Sequence, residues 1–213
     1  MAEYRLYCAG VSGNAYKAAL MLNLSGCDWE PVVVDFLAGA TRQDSFRQDV
    51  NELGEIPVLE HGPRRLTQSG AILTYLAEKT GRFGGRDEEE RFEILRWILF
   101  DNHKFTNFYA VHRFLRTFMK NADPAVLAFL KGRAEIAFGI VDKHLASRAF
   151  MLGERPTIAD LSMAGYVFFS PEETGFDIPA AYPSIDAWRN RIKALPGWRH
   201  PYELMPGHPL PQG

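Results

Sequence analysis

The chain has 213 residues, and its 24 Lys and Arg against 26 Asp and Glu give a formal net charge of −2 at pH 7. This balance disfavours a nucleic-acid partner, because proteins that bind nucleic acids usually carry an excess of positive charge. No uncharged stretch approaches the roughly 18–20 residues of a membrane span, and no signal peptide precedes the first predicted strand. Cys8 and Cys27 match neither a CxxC motif nor a metal-ligand spacing. We therefore expect a cytoplasmic protein without metal, membrane or nucleic-acid partners.

The first 80 residues alternate short strand-like and helix-like runs. A strand is predicted over Tyr4–Cys8, and a helix follows from about Asn14 to a stop at Gly26. The apolar, β-branched run at 31–36 then predicts a buried strand parallel to the first.

The second part of this region contains a hairpin pattern and a closing helix. Residues 40–52 are polar and predict a short exposed helix or a loop. Two strand-like runs, 56–60 and 64–67, flank the turn residues His61, Gly62 and Pro63, which favours a β-hairpin. A helix over 69–79 follows, with its apolar residues on one side.

After a glycine-rich connection the chain reads as helix throughout. We expect an α/β domain at 1–80, a linker at 81–86 and an all-helical domain at 87–213. The predicted helices of the second domain are 87–119, 124–145, one that follows Thr157, and one from Pro183 to Leu195 that ends at Pro196-Gly197.

Ser12, Gly13 and Asn14 lie at the junction of the first strand and the first helix. The backbone N–H groups of a helix N-terminus favour a bound anion, and the two polar side chains add donors at the same place. Ser and Asn are also ordinary N-cap residues, so this motif alone is compatible with a purely structural cap.

Two further motifs have the same ambiguity. Pro57 opens an apolar strand, where a cis peptide bond would turn the neighbouring backbone groups outward, although only about 5% of X–Pro bonds are cis. Gln68 and Ser69 begin the closing helix, where Ser69 could bind a carboxylate and Gln68 an ammonium group. The alternative is again that Ser69 is an N-cap.

These three motifs, in this order and at these separations, resemble the glutathione-binding domain of cytosolic glutathione S-transferases, with the active-site turn of the bacterial Ser/Thr type. The resemblance extends over the chain, because that family has a helical second domain after such a linker. The segment Arg155–Asp160 resembles the family's capping segment and contains a Thr-x-x-Asp capping box. The ending from Trp188 to Trp198 is also similar. The implied fold is a thioredoxin-like N-terminal domain followed by a helical bundle.

The resemblance implies a role for each motif in binding glutathione as co-substrate. Pro57 matches a cis-proline, and the backbone of Ile56 would pair with the cysteinyl part. Gln68 and Ser69 match the pair that holds the γ-glutamyl ammonium and carboxylate. Ser12 and Asn14 would stabilise the thiolate. A free thiol has a pKa of about 8.5, and lowering it by two units requires about 2.7 kcal/mol, which two donors and a helix N-terminus can supply.

The resemblance also implies a second substrate and a second subunit. We expect an apolar electrophile to bind between the Ser12-Gly13 turn and the long helix, although aromatic residues at helical spacing are more often core. Asp101 is expected to reach the glutathione of a neighbouring subunit in a homodimer. The candidate pocket residues on the long helix are Phe100, His103, Lys104, Phe108 and Tyr109.

Two positions leave other functions open. Where many relatives carry Lys or Gln, which can meet the glycyl carboxylate of glutathione, this chain has Glu55, which would repel it unless Arg42, Arg47 or His61 compensates. A non-catalytic scaffold protein of this fold is therefore an alternative. A glutathione-dependent disulfide or peroxide reductase that uses Ser12 and Asn14 is another. A reductase that uses a protein thiol is disfavoured, because Cys8 lies within a predicted strand and is expected to be a buried structural residue.

Overall fold

The structure is a computed structural model and describes residues 2–207. These residues divide into two compact units, one made of the chain up to Arg82 together with the segment that begins at Leu195, and the other of Phe83–Ala194. None of the helices in the described part of the chain is both long and apolar enough to cross a membrane.

The first unit contains a four-stranded mixed sheet. The strand order is β2-β1-β3-β4, with β2 parallel to β1 and the other neighbours antiparallel. Helix α1 packs against helix α3, so the thioredoxin-like arrangement predicted from the sequence is confirmed. The elements are β1 (Tyr4–Cys8), α1 (Gly13–Ser25), β2 (Trp29–Val33), a 3₁₀ turn (Ala40–Arg42), α2 (Asp44–Asp49), β3 (Val58–His61), β4 (Arg64–Thr67) and α3 (Ser69–Thr80).

The prediction of a buried second strand is wrong. Strand β2 begins two residues earlier than expected and is an edge strand, with the side chain of Val33 61% exposed. An apolar, β-branched run is compatible with either position, because strand propensity does not report how many neighbours a strand has.

The second unit is helical, as expected. Residues 88–118 of the predicted long helix 87–119 are helical, but a π-helical segment, Asp101–Phe105, divides them into two α-helices. The helices are α4 (Glu88–Phe100), α5 (Thr106–Phe118), α6 (Pro124–Leu145), α7 (Ile158–Met163), α8 (Pro171–Thr174), α9 (Ile178–Ala181) and α10 (Pro183–Lys193). Helices α8 and α9 were not predicted, because four residues are too few to show a helical period.

The C-terminal segment groups with the first unit, whereas the sequence placed it in the helical domain. Tyr16 Oη on α1 donates to Arg199 O at 2.8 Å, and Asn23 Nδ2 on the same helix donates to Gly197 O at 2.5 Å. Gly10 N, in the turn after β1, donates to Pro206 O at 2.8 Å. The segment includes a last short helix, α11 (Pro201–Leu204). These contacts join positions far apart in the chain, which a local pattern does not reveal.

The carboxylate of Asp160 organises the helical unit from a fully buried position. The predicted capping box is present, with Thr157 N donating to Asp160 Oδ2 at 2.8 Å. The other carboxylate oxygen accepts from Met151 N at 2.8 Å and from Trp188 Nε1 at 2.9 Å. Burial raises the pKa of this carboxyl, and the hydrogen bonds act in the opposite direction. One side chain therefore ties α7 to the preceding loop and to α10.

We predict that Asp160→Ala lowers the free energy of unfolding by about 3 kcal/mol, because it leaves several buried donors without an acceptor. The matched control is Asp177→Ala, which removes an exposed aspartate that caps α9 through Ala180 N and should cost about 1 kcal/mol. Urea unfolding monitored by circular dichroism measures both. Equal losses in the two variants would show that Asp160 contributes no more than a surface cap.

Candidate functional site

The sheet brings the three sequence motifs to one edge. Tyr7 on β1 lies opposite Val58 on β3, and Val58 lies opposite Thr67 on β4. The Ser12 turn follows the end of β1, Pro57 immediately precedes Val58, and Gln68 immediately follows Thr67. All three segments therefore leave or enter the sheet at the same end. The convergence depends on pairing between strands and not on any one motif.

Ser12 is the N-cap of α1, as the structural alternative predicted. Its Oγ accepts from Ala15 N at 3.2 Å, and the residue as a whole is 9% exposed. A hydroxyl that accepts a hydrogen bond at a cap still has its own O–H to donate. Asn14 lies half-buried in the first turn of the same helix. Capping and ligand binding are thus compatible roles for Ser12.

The Ile56–Pro57 peptide bond is cis, in agreement with the expectation from the family resemblance. The loop before it is organised by Asn51, which is 5% exposed. Asn51 Nδ2 donates to Glu55 O at 2.8 Å, and Asn51 Oδ1 accepts from Leu53 N at 3.1 Å. Asn51 was not among the residues predicted to form the site. Its signal was an asparagine three residues before Gly54, a spacing typical of a side chain that bonds to its own turn.

Gln68 and Ser69 lie where the sequence placed them, at the start of α3. Gln68 has φ 65° and ψ 115°, and it is one of two non-glycine residues with positive φ in the described part of the chain. Such a conformation is uncommon for a side-chain-bearing residue. Gln68 occupies the N-cap position without a side-chain capping bond, and Ser69 is the first helical residue. The alternative that Ser69 is the N-cap is therefore wrong.

Glu55 is exposed, and its side chain contacts Gln68. Gln68 Nε2 donates to Glu55 Oε2 at 3.1 Å. The guanidinium of Arg47 lies against the neighbouring Gly54: a Cβ atom placed on this glycine would be 2.8 Å from Arg47 Nη2. Gly54 has φ 66° and adopts a left-handed conformation that suits glycine.

Among the three basic residues considered for this loop, Arg47 is the one that contacts it. His61 lies opposite Tyr4 at the other end of β3. There its Nδ1 is 2.7 Å from Tyr75 Oη, and its Nε2 is 3.3 Å from Glu3 Oε1. Arg42 is exposed in the 3₁₀ turn, with its Cδ near Gly39.

Cys8 is a core residue of β1, as expected. Its side chain is fully buried, and burial raises the pKa of the thiol to about 12. A reactive thiolate requires a depressed pKa and access to solvent. Cys27 is half-buried after α1. Among residues 2–207, no group of three or more His, Cys, Asp or Glu side chains is arranged to hold a metal ion.

The candidate pocket residues on the long helix differ in their exposure. His103 is exposed in the π-helical segment, whereas Lys104 and Phe108 are half-buried. Tyr109 is fully buried, with its ring centroid 5.0 Å from that of Phe138 and 5.0 Å from that of Phe176. Its assignment to an accessible pocket is wrong, because the ring is part of the core of the helical unit.

The expected role of Asp101 across a dimer is also wrong. Its side chain is fully buried within the helical unit. Oδ1 accepts from Thr106 Oγ1 at 2.5 Å, and Oδ2 accepts from Ser162 Oγ at 2.6 Å. Both carboxylate oxygens are therefore used inside the protein's own helical core, and the group is not exposed to a second subunit.

Comparisons with known proteins agree with this geometry. Residues 2–78 match the family description "Glutathione S-transferase, N-terminal domain", and residues 110–196 match the corresponding C-terminal domain. A crystal structure of a glutathione S-transferase from Pseudomonas fluorescens Pf-5 is 32% identical, with a TM-score of 0.87, and covers 94% of this chain and 99% of that one.

Two other relatives differ in what is described for them. A glutathione transferase family member from P. fluorescens Pf-5, crystallised with two glutathione bound, is 27% identical, with a TM-score of 0.78, over 91% of this chain and 89% of that one. The disulfide-bond oxidoreductase YfcG of Escherichia coli K12 is 26% identical over 86% of this chain and 87% of that protein. From the two matched domains and the shared fold, the chain belongs to the glutathione S-transferase family.

Proposed function

We propose that this protein is a glutathione transferase that activates the thiol of glutathione for attack on an apolar electrophile. The observation that carries the proposal is the strand register that brings the Ser12 turn, the cis Ile56–Pro57 bond and the start of α3 to one edge of the sheet. The family relative crystallised with glutathione supports this choice of thiol.

Each part of glutathione has a counterpart at this edge. The backbone of Ile56 pairs with the cysteinyl unit. The γ-glutamyl carboxylate binds the Ser69 hydroxyl and the first N–H groups of α3, where the helix dipole favours an anion. Gln68 accepts from the γ-glutamyl ammonium. Arg47, beside Gly54, meets the glycyl carboxylate and compensates for the negative charge of Glu55.

Thiolate formation depends on the start of α1. Donation from the Ser12 hydroxyl and the Asn14 amide to sulfur favours the charged form and lowers the thiol pKa. The thiolate then uses an electron pair to form a carbon–sulfur bond with the electrophile, and the displaced group leaves with its own bonding pair. His103, Lys104 and Phe108 remain the proposed contacts to the electrophile.

We predict different losses for substitutions at the two helix N-termini. Ser12→Ala removes a donor to the thiolate, so it should raise the thiol pKa of bound glutathione by about 1–2 units, from about 6.5, and lower kcat about 3–25-fold at pH 7 through the smaller thiolate fraction. Its activity should recover as pH rises through the raised pKa. Ser69→Ala should instead weaken glutathione binding about 10-fold. Calorimetric titration and the pH dependence of thiolate absorbance distinguish the two effects.

The control for Ser12→Ala is Ser170→Ala, which removes a serine N-cap from α8 in the helical unit and should leave the thiol pKa unchanged. Absence of glutathione binding by the wild-type protein at millimolar concentration would contradict the transferase proposal. A scaffold protein of the same fold, or another thiol co-substrate, would then be the better interpretation.

A glutathione-dependent disulfide reductase is a second candidate, favoured by the similarity to YfcG and by the relative with two bound glutathione molecules. In this reaction one glutathione thiolate attacks the disulfide, forms a mixed disulfide and releases one thiolate. A second glutathione thiolate then releases the other, and the two glutathiones leave as oxidised glutathione. Rates with an aryl halide and with hydroxyethyl disulfide distinguish the transferase from the reductase.

Neither reaction should use a protein thiol. We predict that Cys8→Ala retains both glutathione binding and turnover within about 2-fold, because the buried Cys8 thiol, with a pKa of about 12, is not a nucleophile at neutral pH. In the native protein, iodoacetamide at pH 8 should modify Cys27 faster than Cys8, as measured by peptide mass spectrometry. Loss of disulfide turnover in Cys8→Ala, with glutathione binding retained, would show that a protein thiol takes part.

We also propose that the protein forms a homodimer through the helical unit. Phe92, Leu95 and Leu99 are spaced at three and four positions along α4 and are 63%, 49% and 59% exposed. On α6, Phe129 and Ile136 are 63% and 61% exposed. Exposed apolar residues in a row along a helix are typical of an interface between proteins.

We predict that Phe92→Glu shifts the protein from dimer to monomer, because it places a charge within a surface that is desolvated on association. Size-exclusion chromatography with light scattering measures the mass. Val33→Glu is the control, since it changes an equally exposed apolar residue on the edge strand β2 and should leave the dimer intact. A wild-type protein that is monomeric at micromolar concentration would overturn this part of the proposal.

A further inference from the structure

We propose that Glu55 is a specificity-determining residue that, together with Gln68, binds the α-ammonium group of the thiol ligand. The inference rests on the proposed function and deepens it, because it assigns a role in ligand binding to Glu55, the residue that departs from the pattern of many relatives. It also predicts that the site selects thiols that carry a free α-amino group.

Both side chains are directed by their backbones. Asn51 Nδ2 donates to Glu55 O at 2.8 Å, and Gly54, which has a left-handed conformation, precedes Glu55. Gln68 has the positive φ described above. Both residues are exposed, and Gln68 Nε2 donates to Glu55 Oε2 at 3.1 Å. The carboxylate of Glu55 therefore lies towards the start of α3.

The pair presents acceptors that suit an ammonium group. Because the Gln68 amide donates its N–H to Glu55, its carbonyl oxygen is available as an acceptor, and the Glu55 carboxylate has further acceptor sites. An ammonium group is a donor only, and its positive charge is attracted more strongly by the full negative charge of a carboxylate than by a neutral carbonyl. Gln68 alone offers a neutral carbonyl, whereas the pair offers a negative charge as well.

Neighbouring groups of the site bind the carboxylate and the ammonium group of an α-amino acid separately. The Ser69 hydroxyl and the N–H groups at the start of the 12-residue helix α3 favour the carboxylate. The Glu55–Gln68 pair favours the ammonium, which is attached to the same carbon of the γ-glutamyl unit. Asp101, the acidic residue expected from the sequence to reach the glutathione of a neighbouring subunit, is enclosed in the helical unit and bonded to Thr106 and Ser162. Glu55 supplies the negative charge instead.

The opposite expectation is that Glu55 repels the glycyl carboxylate. The two interpretations predict effects of opposite sign when the charge is removed. If Glu55 binds the ammonium, Glu55→Gln weakens glutathione binding. If Glu55 repels the glycyl end, the same substitution strengthens it. The guanidinium of Arg47 lies against Gly54 and places a positive charge beside the loop. Because this charge attracts the glycyl carboxylate and offsets repulsion by Glu55, it favours the first interpretation.

The test is calorimetric titration of wild type and Glu55→Gln with two ligands, glutathione and glutaryl-cysteinyl-glycine, which lacks the α-amino group. We expect the variant to bind glutathione about 5–20-fold more weakly and the deaminated analogue as well as wild type does. Glu52→Gln is the matched control, since it removes the same charge from an exposed residue of the same loop and should change neither Kd. An unchanged melting temperature establishes that each variant is folded.

Equal or tighter glutathione binding by Glu55→Gln would overturn the inference, and so would an equal loss for both ligands. These outcomes leave the transferase proposal standing, because wild-type binding of glutathione is measured in the same experiment. If the wild-type protein binds neither ligand, the proposed function fails and the inference fails with it.

Discussion

The hydrogen-bond register of β1, β3 and β4 is the constraint on which the candidate site depends. It aligns Tyr7, Val58 and Thr67 in one row across the sheet. The segments that follow β1 and β4, and the one that precedes β3, therefore meet at one edge. A slip of one residue in either pairing would turn every side chain of that strand to the opposite face. The buried core of the first unit thus determines the geometry of a surface site.

Carboxylates have different functions in the two units. Asp101 and Asp160 are fully buried in the helical unit, where each accepts hydrogen bonds that join separate elements. A buried carboxylate is tolerated when its oxygens are satisfied in this way. Glu55 is exposed and shares one hydrogen bond with Gln68, so it remains available to a ligand. Burial therefore separates structural carboxylates from one that can contribute to binding.

Much of the fold, and the placement of the three candidate motifs at the ends of strands and the starts of helices, was predictable. The strand Tyr4–Cys8, the hairpin, the helix 124–145 and the capping box at Thr157 follow from local patterns, and the structure confirms them. The edge position of β2 and the burial of Tyr109 were not predictable, because apolar β-branched runs and aromatic residues occur both in a core and at a surface. A capping role was considered for both Ser12 and Ser69; Ser12 is the N-cap of α1, whereas the N-cap of α3 is Gln68.

The sequence alone determined the order of elements, the family resemblance and the residue types available for thiol chemistry. These properties depend on neighbours a few positions apart, through helix caps, turn residues and hydrophobic periods. Only the tertiary structure decided that Glu55 contacts Gln68, 13 positions away, and that Asp101 is enclosed by Ser162, 61 positions away. Burial and charge pairing are set by segments distant in the chain, so the same side chain becomes a core residue or a binding group according to what packs beside it.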